Sequence, residues 1–235
     1  MSSIIYWLLL MNKRGTWTPW IVHRDTTWGE IPTTWLIAEF LLATNADDTS
    51  TTANNWVATG VTYGQWWATF DTDTYSIIAP SNVAYNITTG TMSFKIRTTS
   101  TIIWYVATRN NNINDDFFLS IADPADGTNP WEVTFYWWSS TAFIPTAPAI
   151  NDWSWHTVVI TYAPLDVNVY IDGTLRGTYA DNFNSWATGA PLNIGYREFD
   201  TPWHKIGGDL AMLRRYNVIL DSAWISALSN EANPT

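Results

Sequence analysis

Two stretches of this 235-residue chain gather the groups that grip sugar hydroxyls or a hard cation. The first is Arg109-Asn110-Asn111-Asn112-Ile113-Asn114-Asp115-Asp116, and the second is Tyr196-Arg197-Glu198-Phe199-Asp200. Amide, guanidinium and carboxylate groups bond to hydroxyls, and an aromatic ring stacks on a pyranose face. Arg109, Asn110, Asn112, Asn114, Tyr196, Arg197 and Glu198 are therefore the candidate ligand-binding residues. If both stretches are loops on one rim of the fold, they make one glycan site. Asp115, Asp116 and Asp200 supply the clustered oxygens that calcium needs. Asp47-Asp48 and Asp71-Thr72-Asp73 are further acids in expected loops. The plainer reading of all these residues is solvated loop.

The residue types argue against catalysis. Glycoside hydrolysis needs two carboxyl groups facing each other across one cleft. Glu30, Glu39, Glu132, Glu198 and Glu231 are isolated from one another, with no Glu-x-Asp-x-x-Glu pattern. His23, His156 and His204 accompany no nucleophile-elbow sequence. His156, at an expected strand start, reads as a core or edge histidine. Cysteine is absent, which removes disulfides, thiol chemistry and Cys-zinc sites. The chain is expected to bind and not to catalyse.

The elements around these groups are strands. Hydrophobic residues make up 46% of the chain and charged residues 14%. The polar remainder is rich in Thr, Asn and Ser, which suits strands and turns. Expected strands are Leu36 to Leu41, Ala68 to Phe70, Ser76 to Ile78, Gly90 to Arg97 and Ile102 to Thr108. Further ones are Phe117 to Ile121, Glu132 to Trp137, Trp155 to Tyr162, Asn168 to Ile171, Leu192 to Tyr196 and Asp209 to Tyr216. Val158, Ile160 and Tyr162 share one face of their strand, as do Val167, Val169 and Ile171 of theirs. Asp172-Gly173 is a hairpin turn. Only Ser222 to Asn230 reads as a helix, capped by Asp221 or Ser222, with Ile225 and Leu228 inward. Residues 1–34 read as an arm or leader and residues 35–235 as one domain. The apolar run Ile4 to Met11 is too short to span a bilayer. It is followed, not preceded, by Lys13 and Arg14, the wrong order for a secretory signal. It is either an arm that docks on a larger assembly or a first strand.

Many short strands and one helix predict an all-β, two-sheet antiparallel sandwich with a short C-terminal helix. Particular residues narrow this further. Trp155-His156-Thr157-Val158-Val159-Ile160-Thr161-Tyr162, then Val169-Tyr170-Ile171-Asp172-Gly173, resembles the central hairpin of laminin-G-like jelly rolls of the concanavalin A-like lectin/glucanase superfamily. Gly208-Asp209-Leu210-Ala211-Met212-Leu213-Arg214-Arg215-Tyr216-Asn217 resembles the family's close. Leu36 to Asp48 and Ala68-Thr69-Phe70-Asp71 are similar to its opening. The resemblance covers residues 35–230. It implies a glycan- or protein-binding module, often with calcium, on a cell surface or virion. Many relatives carry an acid two residues beyond Asp209, where this chain has Ala211, and that departure bears on the family's usual calcium site.

The 17 Trp against 12 Gly are out of keeping with a turn-rich sandwich. Asn55-Trp56, Pro130-Trp131 and Asp152-Trp153 stand where Asn-Gly, Pro-Gly and Asp-Gly turns belong. Trp35 and Trp66-Trp67 hold places that are small residues in the family. Either these indoles are stacking platforms, or their triplets are UGA and are read as glycine by the source organism.

The expected function is an adhesion or glycan-binding module, extracellular, on a cell surface or on a virion. Its partner is a glycan or a surface protein. The alternative is a structural phage protein, a head-decoration or tail-fibre component anchored by the arm, within a virion or homo-oligomeric assembly. A net charge of −10 makes nucleic acid an unfavourable partner. No membrane span is expected.

Overall fold

The computed structural model describes residues 9–11, 17–19, 31, 33–70, 76–79, 87–100, 103–110, 115–121, 133–137, 140–144, 150–180, 192–195 and 206–234. Strands β1 (Leu9–Met11) and β2 (Trp17–Pro19) form a separate hairpin. The others are β3 (Leu36–Phe40), β4 (Val57–Thr59), β5 (Thr62–Tyr63), β6 (Ala68–Phe70), β7 (Ser76–Ala79), β8 (Gly90–Thr98) and β9 (Ile103–Asn110). Then follow β10 (Asp115–Ile121), β11 (Val133–Trp137), β12 (Ser140–Ile144), β13 (His156–Ala163), β14 (Asp166–Ile171), β15 (Thr174–Tyr179), β16 (Leu192–Ile194), β17 (Gly208–Tyr216) and helix α1 (Ser222–Asn230).

Two antiparallel sheets make up the sandwich. One has seven strands in the order β12-β11-β10-β9-β16-β7-β4. The other has eight, β15-β14-β13-β8-β17-β6-β5, with β3 also paired to β17. β17 changes partner along one edge, from β6 at Gly208–Leu210 to β3 at Leu213–Tyr216. The switch coincides with a register shift between Ala211 and Arg214, where Met212 takes φ +53°. An extra residue in a bulge lets one strand end and another begin on the same edge.

Alternation explains the layers. Met92, Phe94 and Ile96 of β8 join Val158, Ile160 and Tyr162 of β13 and Val167, Val169 and Ile171 of β14 in the main core. Ile77 of β7 and Ile194 of β16 meet them from the other sheet. The opposite parity of β8 and its neighbours faces outward, yet Thr91, Ser93, Lys95 and Val159 are buried there too. The cover is a second apolar cluster in which Ile225 and Leu228 of α1 pack on Leu36, Val159, Tyr216 and Leu220. Asp221 caps the helix, accepting from the Trp224 N–H at 3.0 Å. Ile31, expected to lie in the arm, packs against this cluster.

The elements depart from the sequence expectations mainly at edges. β4, β5 and β12 were not anticipated, and β15 extends the expected hairpin arm to Tyr179. The stretch Arg109 to Asp116 is not all loop. β9 runs on through Arg109 and Asn110, and β10 begins at Asp115, so Arg109, Asn110, Asp115 and Asp116 are strand residues. Backbone pairing of Asp115 with Asn110 closes the hairpin earlier than the polar side chains suggest.

Candidate functional site

The chain leaves β9 and β16, towards the two candidate stretches, in opposite directions. β16 is antiparallel to β9, with Leu192 opposite Arg109 and Ile194 opposite Ala107. The chain therefore enters β16 at the end where it leaves β9. It leaves β16 past Ile194, three residues or roughly 10 Å back along β9. Residues 111–114, with Asn112 and Asn114, and residues 196–205, with Tyr196, Arg197, Glu198 and Asp200, lie outside the described residues. What the strands fix is where each stretch starts. Nothing in the register brings Asn110 and Tyr196 to one rim.

The rim at Asn110 and Asp115 has other occupants. Trp137 and Ser140, which close the β11–β12 hairpin, sit at the same end, because Phe118 pairs with Tyr136. Val57 and Ala79 begin and end their strands there as well.

At the opposite end, on the outer face of the eight-stranded sheet, sits a cluster that sequence reasoning missed. Arg97 of β8 donates from Nε (3.0 Å) and Nη2 (2.6 Å) to Asp209 Oδ2 of β17. Thr69 of β6 donates its hydroxyl to Asp209 Oδ1 at 2.7 Å. The guanidinium carbon lies 5.0 Å from the Trp67 ring and 4.8 Å from each of Trp153 and Trp155. Each exposed cation–π contact is worth about 0.5–1 kcal/mol. The donor edge of Arg97 is committed to Asp209 and its faces to indoles, so the cluster clamps three strands together. Its one sequence signal was parity. Arg97 and Asp209 are opposite charges on the outward positions of two strands whose inward positions are apolar.

The remaining described charges near this face are also committed. Arg214 of β17 donates to Glu39 (2.8 Å) and to both oxygens of Glu231 (2.5 and 2.8 Å). Burial works against its charge, but the Glu231 hydrogen bonds and the two carboxylates outweigh that and raise its proton affinity. Lys95 Nζ donates to the Thr157 hydroxyl, the Glu231 carbonyl and Asn233 Oδ1, and burial lowers its pKa. His156 is buried at the start of β13, a strand flanked on both sides, between Asp172 (2.8 Å) and Asp152 (3.1 Å). The Asp172 hydrogen bond raises its pKa against the opposing effect of burial, with help from Asp152. In the loop after β3, Asp48 is only 6% exposed. Its carboxylate accepts from the N–H groups of Glu39, Ser50 and Asn54 and from the Thr52 hydroxyl. Burial alone would raise its pKa, but these donors hold it below the usual value.

A family model described as the concanavalin A-like lectin/glucanases superfamily (Laminin_G_3) matches residues 70–226. The chain belongs to this laminin-G-like family. Solved structures agree with the fold of this laminin-G-like chain. Domain 4 of AbnA, an extracellular arabinanase from Geobacillus stearothermophilus solved with arabinotriose, superimposes with TM-score 0.64 at 15% identity. That match covers 83% of this chain and 98% of the domain. The binding domain of Paraclostridial Mosquitocidal Protein 1 gives 0.63 at 17% identity, over 83% of this chain and 52% of that one. Trypanosoma rangeli sialidase in complex with sialic acid gives 0.67 at 15% identity, over 86% of this chain and 33% of the sialidase. The chain thus spans only about half of the toxin chain and a third of the sialidase. No curated protein matches significantly.

Around Asp209, where Ala211 already departs from the family's usual calcium site, the residues present do not fit a calcium ion. Asp209 is taken by Arg97 and Thr69, and Ala211 is fully buried in β17. Among the described residues no group of three or more His, Asp or Glu side chains is placed to hold a metal ion. Of the other candidate ligands, Asp115 and Asp116 are placed only as strand residues, and Asp200 lies outside the described residues.

Proposed function

We propose that this laminin-G-like domain is a non-catalytic glycan-binding module, working outside the cell or on a surface. The observation that carries the reading is the family match over two jelly-roll sheets, joined to the likeness with an arabinanase domain of nearly the same extent that was solved with arabinotriose. The described carboxylates support binding over hydrolysis. Glu39 and Glu231 are held by Arg214, Asp209 by Arg97, and Asp152 and Asp172 by His156. None of these is left to serve as acid or nucleophile. Among the described residues no helix is long and apolar enough to cross a membrane.

The binding face we favour is the β9–β10 end, with Arg109, Asn110, Asn112, Asn114 and the acids Asp115 and Asp116. Asp115 and Asp116 are the proposed calcium ligands at this end. Tyr196, Arg197, Glu198 and Asp200 form a separate candidate patch, because their stretch starts at the far end of β16. The test is a glycan array, run with calcium and again with chelator. A defined sugar should be retained. Asn112→Ala with Asp116→Ala should weaken binding at least tenfold while thermal unfolding stays unchanged. Silence under both conditions would overturn the reading.

A second reading is a virion component held by its first residues. What favours it is the β1–β2 hairpin, which among the described residues pairs with neither layer of the sandwich. Loss of particle incorporation on removing residues 1–30 would support it, and unchanged incorporation would end it.

A further inference from the structure

Trp153 holds a backbone conformation that favours glycine, and Trp56 fills a space too small for its ring. The Trp153 N–H donates to the Thr98 carbonyl at the end of β8, at 3.0 Å. Next to it, Asp152 Oδ1 accepts from the Ser154 N–H at 2.7 Å and meets His156 Nε2 at 3.1 Å. These bonds pin the turn, and the pinned backbone puts Trp153 at φ +66°. In that region a Cβ crowds the following carbonyl, and glycine alone enters freely. The Asp172-Gly173 turn solves the same problem with glycine at φ +75°. The Trp153 side chain is half exposed and is one of three rings within 5.0 Å of the Arg97 guanidinium.

Left-handed geometry alone does not single out Trp153, since Leu42, Ala53, Leu165, Asp172 and Met212 share it. Trp56 makes the case independently. Its ring centroid lies 3.5 Å from that of Phe40 at a tilt of 41°. Aromatic pairs settle at about 4.5–7 Å. Its indole N–H is buried with no hydrogen-bond partner. The backbone has no freedom to relieve the crowding. The Trp56 N–H is tied to the Ala46 carbonyl at 3.0 Å, and the Asn55 side chain accepts from the Asp48 N–H at 3.1 Å. An overlapping ring with an unsatisfied donor is an overpacked core, which evolution removes. Both positions follow a turn-forming Asn or Asp, the usual companion of glycine.

We infer that positions 56 and 153 are glycine in the protein as its source makes it, encoded by UGA in a genetic code that reads UGA as glycine. It follows that neither indole is a ligand platform, and that the exposed ring over Arg97 is no sugar-stacking surface. Trp67 and Trp155, their centroids 6.2 Å apart, remain beside the guanidinium.

Two measurements test this. The first pairs the gene's triplets at 56 and 153 with peptide masses of the protein isolated from its source. UGA at both, with peptides lighter by the difference between an indolylmethyl group and hydrogen, is the expected result. Tryptophan in the native peptide at either position, from UGG or from UGA, overturns the inference. The second compares the chain as written with its Trp56→Gly, Trp153→Gly double variant. Tm should rise by about 2–4 °C for each site relieved. A genuine core tryptophan predicts the opposite, a marked fall, and a fall would overturn the inference for Trp56 whatever the turn at 153 does.

Discussion

His156 shows how a single residue ties the sheet's stability to pH. Its pKa is raised in the fold by Asp172 and Asp152, so its contribution is fully present below the unfolded value of 6.5. That contribution disappears as pH climbs through the raised folded value. The Asp172 and Asp152 pKa values are lowered, so their share holds above 3.8 and fades as pH falls through the folded values. Stability from this triad should therefore be greatest between about pH 4 and 6.5. Both aspartates are about half exposed, and solvent screening limits the effect to the order of 1 kcal/mol. A Tm loss of about 2–4 °C between pH 6 and 8 is expected, absent in His156→Gln. An equal loss in the variant would assign the pH dependence to other groups. Arg214 should behave differently. Arg214→Ala leaves Glu39 and Glu231 facing each other without their cation. A loss near 3 kcal/mol in urea unfolding is expected, at the low end for a broken buried pair because both acids keep some solvent. The long-range partnerships were not legible in the sequence, since Arg97 and Asp209 are 112 residues apart and Arg214 and Glu39 are 175 apart. Local pattern carries parity, not partners.

At the scale of elements, legibility followed burial. β13 and β14 were readable because their core positions repeat every second residue, as Val167, Val169 and Ile171 do. The helix was readable from Asp221, Ile225 and Leu228. β4 and β5 were not, because Val57–Thr59 and Thr62–Tyr63 are short and largely exposed, which leaves no alternation to see. The polar run after Ala107 misled in the other direction. Asn110 and Asp115 look like loop residues, but pairing with each other satisfies their backbone groups. The ends of the candidate site depend on strand order, which no local motif encodes. Helix α1 is a cover more than an independent unit, so its cap and its apolar face should differ in cost. Asp221→Ala removes one capping bond and should cost about 1 kcal/mol. Leu228→Ala opens the second core and should cost about 2–5 kcal/mol. Chemical denaturation separates the two, and a larger loss for Asp221→Ala would contradict the packing argument.

For the whole molecule, the question is where the folding unit begins. Two contacts reach across the expected boundary at residue 35. Ile31 packs on the second apolar cluster, and the Leu36 N–H donates to the Thr33 carbonyl at 3.2 Å. The loop between β3 and β4 then locks the same corner through Asp48. The β1–β2 hairpin shares no ladder with either sheet. Two truncations should therefore diverge. Removing residues 1–30 is expected to leave Tm within about 2 °C, because no sandwich strand loses a partner. Removing residues 1–34 strips Ile31 from the cluster and should cost a further 1–2 kcal/mol, roughly the burial of part of one aliphatic side chain. At this chain length that is about 2–8 °C. Equal Tm values for the two truncations would show that Ile31 adds nothing and keep the boundary at 35. A collapse of the first would make the hairpin part of the fold. The outcome also bears on function. A sandwich indifferent to its first thirty residues leaves them free to serve attachment, whereas one that needs them has no arm to spare.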